Sequence, residues 1–332
     1  MNKLLSIIVP AYNVAPYIEK CIRSLEDQDI SKENYEIIVT NDGSPDNCKE
    51  IVEQLQKEFT NIVLINQENQ GVSMARNNAI DITKGEYILP IDPDDYVVPN
   101  TLKRILNKVK NQNLDVLHLG FEIFDVDGKS SWHTNFKEQE NKVHTGSEGY
   151  FAGRGTTVRD PDRSVAILYK KELLDNYKIR YPKNVPYLED GLFLGKVFMV
   201  ASKVGFENAK FYQRTTRPGS ATNSNLFYSE EAMKGFILAV KNIKEFAANY
   251  KLNIHQKHLK NHVVAKFVFL AISPSIFTSK FKQYKKVLKI LKNADLYKLK
   301  LEGVRFLYKN YVRVYNFSKF LFPIYVHIRK RI

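Results

Sequence analysis

Cysteine, tryptophan and long apolar runs are all scarce in this sequence. Its two cysteines, Cys21 and Cys48, form neither a CxxC motif nor a Cys/His arrangement, so a disulfide framework or a zinc site is not expected. No stretch approaches the ~20 consecutive apolar residues that a membrane-spanning helix needs. The apolar run at residues 4–9 is too short for a signal peptide and has no clear cleavage site. We therefore expect a cytoplasmic protein.

Acidic residues are scarce only in the last quarter of the chain. Residues 251–332 hold 19 Lys and Arg but only two acids, a net charge of +17, whereas the first 250 residues carry 31 basic and 34 acidic side chains, or −3. Because the whole basic excess lies in one segment, we expect a change of role along the chain. The sequence predicts one domain over residues 1–225 and a basic, aromatic-rich helical region over residues 226–332.

Strand and helix patterns alternate through the first part of the chain. Apolar, β-branched runs predict strands, and each is followed by apolar residues at helical spacing. Asn13 and Asp46 are expected to cap the first two helices, and Asp127-Gly128 predicts a hairpin. The predicted strands are residues 4–9, 35–39, 61–65 and 86–91, and the predicted helices are 14–25, 46–59, 71–83 and 101–109. This alternation predicts an α/β fold with a mostly parallel, doubly wound sheet.

The second part of the chain is expected to be less regular. Further strands are predicted at residues 115–119, 165–168 and 204–213, and a helix at 189–200. From residue 228 onward the pattern is helical, with expected interruptions at Pro274 and Pro323.

Polar residues follow each of the first four predicted strands, at residues 10–13, 41–44, 66–71 and 92–95. In an open α/β sheet, ligands bind beyond the carboxyl ends of the strands. The last of these segments, Asp92-Pro93-Asp94-Asp95, places three carboxylates in four residues, which raises their mutual repulsion unless a cation lies between them. Hard cations such as Mg²⁺ and Mn²⁺ take carboxylate ligands together with phosphate oxygens. The segment predicts a metal site that holds a diphosphate, or alternatively an acidic turn beside Pro93.

Taken in order, these segments resemble the family 2 inverting glycosyltransferases of the GT-A fold. The resemblance covers about residues 4–225 and rests on five motifs. These are residues 6–13 (SIIVPAYN), 41–44 (NDGS), 69–77 (NQGVSMARN), 92–95 (DPDD) and 189–190 (ED). Pro93 stands where the acidic motif more usually has a small residue, which should stiffen the turn.

The resemblance implies a donor site for a nucleotide sugar. Pro10, Tyr12 and Asn13 would lie against the base, with Tyr12 as a stacking face; the alternative is a core tyrosine. Asp42 would accept hydrogen bonds from uracil or ribose, or alternatively serve as a turn residue. Arg76, near the start of a helix, suits an anionic ligand or the aspartate cluster.

The resemblance also assigns the acidic motif and a later arginine-rich loop. Asp92 would face the nucleotide, and Asp94 with Asp95 would hold Mg²⁺ or Mn²⁺, through which the diphosphate is bound. Arg214 and Arg217 would close over the pyrophosphate, although such a loop can equally be plain surface.

Inversion at the sugar carbon needs one base on the face opposite the leaving group. By resemblance, Asp190 is the candidate for this catalytic base, and Glu189 beside it would organise the site. The alternative is that both are ordinary acids at a helix N-terminus, where the helix dipole favours them.

The basic tail interleaves Lys and Arg with large apolar residues. Such helices can lie on an anionic membrane, where a lipid-linked acceptor would be found. The alternatives are packing on the core, a homodimer, and nucleic-acid binding, which is the least favoured.

We expect a metal-dependent inverting glycosyltransferase that uses a UDP-linked sugar to build bacterial surface polysaccharide at the inner face of the plasma membrane. The acceptor is expected to be a glycan or a lipid-linked molecule. A sugar nucleotidyltransferase is the second enzyme hypothesis, but residues 10–13 lack the glycine-rich phosphate loop that it needs. A non-catalytic, membrane-bound scaffold that binds a sugar nucleotide is the third.

Overall fold

The computed structural model describes residues 3–154, 162–183, 185, 188–216, 229–277 and 281–330. Nine strands occur among them, and the segments predicted from apolar runs are all present. The strands are β1 (Lys3–Ala11), β2 (Tyr35–Asp42), β3 (Ile62–Gln67), β4 (Gly85–Pro90), β5 (Tyr96–Val97), β6 (Val116–Phe124), β7 (Ser130–His133), β8 (Ile167–Lys170) and β9 (Val204–Thr215).

Twelve α-helices lie in the same described ranges. They are α1 (Ala15–Glu26), α2 (Cys48–Glu58), α3 (Val72–Ile82), α4 (Leu102–Gln112), α5 (Gly146–Ala152), α6 (Lys171–Asn176), α7 (Glu189–Val200), α8 (Glu230–Ala248), α9 (Ile254–Phe277), α10 (Phe281–Asn293), α11 (Phe306–Phe317) and α12 (Leu321–Lys330).

The strands form one sheet in the order β3-β2-β1-β4-β8-β6-β9-β5, with β7 paired to β6. β1, β2, β3 and β4 are mutually parallel, and β6 is parallel to β9. β8 is inserted antiparallel to both β4 and β6, so the two parallel groups point the same way. The prediction of a mostly parallel sheet is therefore confirmed, and the carboxyl ends of β1, β2, β4 and β9 lie at one edge of the sheet.

The central strands are apolar because both faces of the sheet are covered. β2 is buried along its whole length, and β1 is buried from its third residue onward. Ile7 of β1 lies beside Ile37 of β2 and Leu89 of β4, and all three are inaccessible to solvent. Strands buried on both faces are near-continuous apolar runs, which is why the sequence pattern located them.

The capping of the first two helices differs from the expectation. Asn13 is not the cap of α1: it adopts a left-handed conformation with φ of 54°, and Val14 holds the cap position. The Asp46 side chain accepts hydrogen bonds from the backbone N–H groups of both Ala15 and Cys48, at 2.7 and 3.2 Å. Asn47, not Asp46, holds the cap position of α2, but the Asp46 carboxylate satisfies one N–H group in the first turn of each helix. Local sequence does not reveal its contact with α1.

Pro274 does not interrupt a helix as expected, whereas Pro323 follows a break between α11 and α12. Pro274 lies inside α9, where it cannot donate to the carbonyl of Leu270. The Ser273 hydroxyl donates to that carbonyl instead, at 3.0 Å, which compensates the lost bond. Pro323 lies in the first turn of α12, where an N–H has no partner within the helix in any case.

The chain divides into two compact units. The first consists of residues Met1–Lys183 and Val200–Ser220, and the second of Asn184–Met199 and Ala221–Ile332. Most of α7 falls in the unit that holds the C-terminal helices. The division into residues 1–225 and 226–332 stays a prediction. In the part of the chain that the structure describes, no helix is long and apolar enough to cross a membrane.

Candidate functional site

The acidic motif forms a tight loop after β4, at the polar edge of the sheet. The backbone N–H of Asp95 donates to the Asp92 carbonyl at 3.1 Å, which closes the turn. Asp95 is buried, and its carboxylate accepts hydrogen bonds from the Tyr212 hydroxyl at 2.6 Å and the Thr215 backbone N–H at 2.9 Å. The Thr215 hydroxyl also donates to the Asp94 carbonyl at 2.6 Å. The end of β9 therefore holds this loop in place.

Tyr212 binds the loop at two points. Its hydroxyl donates to Asp95 and accepts from the backbone N–H of Asp92, at 3.1 Å. The ring is fully buried and stacks on Phe121 with centroids 5.2 Å apart. Sequence reasoning missed Tyr212 and Thr215, because residue order does not show that β9 passes beside a loop 117 residues earlier in the chain.

The acidic loop brings the carboxyl groups of Asp92, Asp94 and Asp95 together in a partly buried position. Burial, and after it the neighbouring carboxylates of Asp92 and Asp94, raise the pKa of Asp95 to about 8. Burial, together with the same three carboxylates, also raises the pKa of the Cys21 thiol, whose Sγ lies 3.7 Å from the Asp92 carbonyl oxygen. A cation beside this loop would relieve the repulsion.

Arg76 provides one such positive charge. Its guanidinium donates to Asp92 at 2.9 Å, and the arginine side chain is buried while the Asp92 side chain is partly exposed. The guanidinium also lies over the Tyr181 ring, 5.0 Å from the centroid. The adjacent Asn77 fixes that tyrosine, because its side-chain amide exchanges two hydrogen bonds with the Tyr181 backbone, at 2.9 and 2.8 Å. Of the two interpretations of Arg76, pairing with the aspartate cluster is the one seen.

The three carboxylates differ in how well they suit a metal ion. Both oxygens of Asp95 already accept hydrogen bonds, and Asp92 is paired with Arg76. Asp94 is partly exposed at the tip of the loop, and its carboxylate chemistry fits Mg²⁺ or Mn²⁺. Within the described ranges, no three His, Cys, Asp or Glu side chains are grouped so as to hold a metal ion. Mg²⁺ is commonly held by one or two carboxylates plus substrate phosphates, which is the arrangement that this loop could offer.

Asp42, at the end of β2, holds the loop that leads into α3. Its carboxylate accepts hydrogen bonds from the Gln67 side chain and from the backbone N–H groups of Gln70 and Gly71, at 2.7, 2.8 and 2.8 Å. Gly71 caps α3 with a φ of 83°, a conformation that favours glycine. Asp42 thus shapes the site, and its predicted contact with the nucleotide stays a prediction.

The end of β1 presents Tyr12 to solvent. Pro10 and Ala11 are buried, but Tyr12 is 49% exposed and does not belong to the core, contrary to the alternative interpretation. The backbone N–H of Asn13 donates to the Ser44 hydroxyl at 2.7 Å, which joins the ends of β1 and β2. An exposed aromatic ring on a fixed strand end is suited to stacking on a base.

The remaining candidates belong to α7, to β9 and to the segment after β9. Glu189 and Asp190 are in the first turn of α7, in the second compact unit, and both are partly exposed. Leu188, just before them, has a φ of 60°, and the backbone N–H of Gly191 donates to its carbonyl at 3.0 Å. Arg214 lies near the end of β9, beside Ile123 of β6. Arg217 lies outside the described residues.

Comparison with known proteins identifies the family. The model of "Glycosyl transferase family 2" matches residues 6–175, which include the ends of β1, β2 and β4. The chain belongs to glycosyl transferase family 2. The GT-A resemblance drawn from the motifs is thereby confirmed at the level of the family.

Several curated proteins resemble this family 2 chain. It is 32% identical to the uncharacterized glycosyltransferase EpsJ of Bacillus subtilis, over 67% of the chain and 64% of EpsJ. It is 31% identical to a poly(ribitol-phosphate) beta-glucosyltransferase of Bacillus spizizenii, over 71% of the chain and 37% of that protein. The poly(ribitol-phosphate) beta-N-acetylglucosaminyltransferase TarS of Staphylococcus aureus is 28% identical over 68% of the chain and 38% of TarS. The chain therefore aligns with less than two thirds of each relative.

Solved structures share the fold. The structure of S. aureus TarS 1–349 in complex with UDP-GlcNAc has a TM-score of 0.70 and 24% identity, covering 96% of this chain and 89% of that one. The mannosyltransferase PcManGT of Pyrobaculum calidifontis, in complex with GDP-Man and Mn²⁺, has a TM-score of 0.54 and 14% identity, covering 98% and 88%. These similarities establish that the fold is that of TarS.

Proposed function

We propose that this family 2 chain is an inverting glycosyltransferase that moves a sugar from a UDP-sugar to a hydroxyl of a cell-surface polymer. The observation that carries the proposal is the acidic loop, which Tyr212 and Thr215 hold at the carboxyl edge of the sheet. That edge is where α/β folds bind nucleotides. Support for UDP comes from the TarS structures, which hold UDP and UDP-GlcNAc.

The donor would lie between the strand ends of the first unit. Tyr12 offers a stacking face for uracil, with Pro10 and Asn13 beside it in the chain, and Asp42 would contact uracil or ribose. Asp94 is the carboxylate that we assign to Mg²⁺ or Mn²⁺, with donor diphosphate oxygens completing the coordination. When bound, the ion would neutralise charge on the leaving diphosphate.

The other acidic residues would support this arrangement. Asp95 fixes the loop through Tyr212 and Thr215, and Arg76 would orient the Asp92 carboxylate, with which it pairs, towards the nucleotide. Arg214 and Arg217 would add positive charge near the pyrophosphate. This division leaves the direct metal contact to Asp94 and gives Asp95, also expected as a ligand, an anchoring role.

Asp190 would act as the base. In a single displacement, the acceptor oxygen forms a bond to the anomeric carbon while the bond from that carbon to the diphosphate oxygen breaks, and UDP leaves. The acceptor proton passes to the Asp190 carboxylate. Glu189 would orient the acceptor or Asp190 itself. Both acids lie in the first turn of α7.

The acceptor class is proposed from the relatives. Two of the three relatives described above are named as poly(ribitol-phosphate) glycosyltransferases. A polymer of this kind, or a lipid-linked precursor of one, would be glycosylated at the inner face of the plasma membrane. Its free hydroxyls are the nucleophiles that the proposed chemistry needs.

The test combines donor binding with turnover. Thermal shifts should increase with UDP-sugars more than with GDP-sugars, and further with Mn²⁺ or Mg²⁺. With poly(ribitol phosphate) as acceptor, transfer should release UDP, whereas a sugar nucleotidyltransferase would form or consume pyrophosphate.

Asp190→Asn should lower transfer by about 10²-fold or more while leaving the UDP-sugar shift unchanged. Glu189→Gln, which changes the neighbouring supporting residue, should lower transfer less than Asp190→Asn does. Unchanged transfer in Asp190→Asn would remove Asp190 as the base, and donor binding without any turnover would favour a scaffold.

A further inference from the structure

The two C-terminal helices have a packed inner face and an apolar outer face. On the inner face, Phe322 of α12 contacts three rings, those of Tyr311, Tyr315 and Phe269, with centroids 6.2, 5.4 and 5.4 Å apart. Phe322 and Tyr315 are completely or almost completely buried. Several aromatics that the sequence suggested for membrane contact are therefore core residues that attach α11 and α12 to α9.

A different set of apolar residues remains exposed where α11 meets α12. We call this set the α11–α12 corner. Phe317 ends α11 and Phe320 precedes α12, and they are 83% and 69% exposed. On α12 the large exposed apolar residues fall at i, i+3 and i+7, which is one face of the helix. The corner consists of Phe317, Phe320, Leu321, Ile324 and Ile328.

Basic residues flank this corner. On α11, Phe306 and Phe317 lie eleven residues apart on one face, with the exposed Arg313 between them at helical spacing. Arg329 is exposed at the end of α12. The surrounding segment, residues 251–332, carries 19 basic and two acidic side chains. At the surface of an anionic bilayer, the large apolar side chains would contact the acyl chains and the neighbouring arginines would bind the lipid phosphates.

We propose that the α11–α12 corner is a docking surface for an anionic lipid bilayer. A second copy of the chain is a poorer occupant, because the association would bring two strongly positive surfaces together. Nucleic acid is also a poorer fit, because Leu321, Ile324 and Ile328 are aliphatic and offer no face on which a base could stack. The inference goes beyond the proposed function, and it is tested without donor, acceptor or turnover.

Vesicle binding by the full chain tests the proposal. Wild-type protein should co-sediment with phosphatidylcholine–phosphatidylglycerol vesicles and bind pure phosphatidylcholine at least tenfold more weakly. A combined Phe317→Ser, Phe320→Ser and Ile324→Ser variant should lose roughly tenfold or more of that binding, since buried apolar area sets the strength of interfacial helices. The matched control replaces three exposed apolar residues elsewhere: Ile82→Ser, Val126→Ser and Ile254→Ser. The control should bind as the wild type does.

A second readout guards against misfolding of the variant. The chain has one tryptophan, Trp132, so Trp132→Phe gives a silent background. In it, Phe320→Trp should show a blue-shifted emission with anionic vesicles, whereas Ile254→Trp should not. An unshifted Phe320→Trp signal, or a triple variant that binds vesicles like the wild type, would overturn the proposal. It would also be overturned if the triple variant only converted a dimer into a monomer, or only lost binding to single-stranded RNA.

Discussion

The Tyr212 hydroxyl donates a 2.6 Å hydrogen bond to the buried carboxylate of Asp95, and through it β9 holds the acidic loop that follows β4. The same hydroxyl accepts the backbone N–H of Asp92. Two residues at the ends of a four-residue loop are thus fixed by one buried oxygen. Removing that oxygen leaves the buried Asp95 carboxylate and the Asp92 N–H group without this partner, and an unpaired buried group is the costly case for hydrogen bonds.

We therefore expect Tyr212→Phe to lower the free energy of unfolding by about 1–3 kcal/mol and transfer from the donor by about tenfold, since the loop that carries Asp94 loosens. Urea unfolding and steady-state kinetics measure the two effects. Tyr87→Phe is the control, because its hydroxyl donates to the Leu114 carbonyl at 3.0 Å in the core of the same unit. That variant should lose similar stability and keep its activity. An equal loss of activity in both would assign Tyr212 to general stability alone.

The Arg76–Asp92 pair predicts a measurable coupling. Arg76 is buried and Asp92 is partly exposed, so the pair is less screened than one at the surface. In a double-mutant cycle with Arg76→Gln and Asp92→Asn, we expect a coupling energy of about 1–3 kcal/mol in urea unfolding. The control cycle uses Arg180 and Asp81, a more exposed pair at 2.8 Å, where the coupling should stay below about 1 kcal/mol. Equal couplings would mean that burial adds nothing to the Arg76–Asp92 pair.

The sequence predicted those strands and strand ends that are determined by the residues of the segment itself. The buried strands are continuous apolar runs, and the polar residues after β1, β2 and β4 meet at one edge because parallel strands end together. Tyr212 and Thr215 could not be found in this way. Their place beside Asp95 depends on β8 being inserted between β4 and β6, which brings β9 into the same sheet.

The helix ends show the same limit. Asn13 is a residue type that often caps helices, but it adopts a left-handed conformation here. Asp46, which is distant in sequence, accepts the hydrogen bond from the N–H of Ala15 instead. Pro274 remains within α9 because Ser273 satisfies the carbonyl that the proline leaves. In each case a single side-chain contact overrides the local preference, and only the three-dimensional structure reveals it.

The metal assignment predicts a difference between Asp94 and Asp95. Asp94→Asn should abolish the stimulation of transfer by Mn²⁺ or Mg²⁺, with a loss of about 10²-fold or more, and leave thermal stability nearly unchanged because Asp94 lies partly exposed. Asp95→Asn should mainly change stability, since Asp95 is buried against Tyr212 and Thr215. Isothermal titration of the metal with UDP present measures the first effect. Retained metal stimulation in Asp94→Asn would contradict the assignment.

Asn77 predicts a separate effect through Tyr181. Its amide makes two buried hydrogen bonds with the Tyr181 backbone, and the Tyr181 ring lies beside Arg76. Asn77→Ser should cost about 2–4 kcal/mol of unfolding free energy, because two buried backbone groups lose their partner. Asn78→Ser, which removes one hydrogen bond to Gln67, should cost about 1 kcal/mol or less. A cost in Asn77→Ser no larger than in Asn78→Ser would show that the Tyr181 contact contributes little.

His118 predicts a pH dependence of stability in the first unit. Burial lowers the pKa of its imidazole to about 3, in a site where the ring stacks on Phe206 at 4.8 Å. The unfolded chain therefore binds a proton below about pH 6.5 that the folded chain does not bind until about pH 3. The unfolding free energy should fall as the pH falls through this window, by about 1.4 kcal/mol per pH unit from this residue. His118→Leu should remove that part of the slope in urea unfolding between pH 6.5 and 4.5, whereas His133→Leu, at an exposed site, should retain it. Parallel slopes for the wild type and His118→Leu would mean that His118 is protonated in the folded protein as readily as in the unfolded chain.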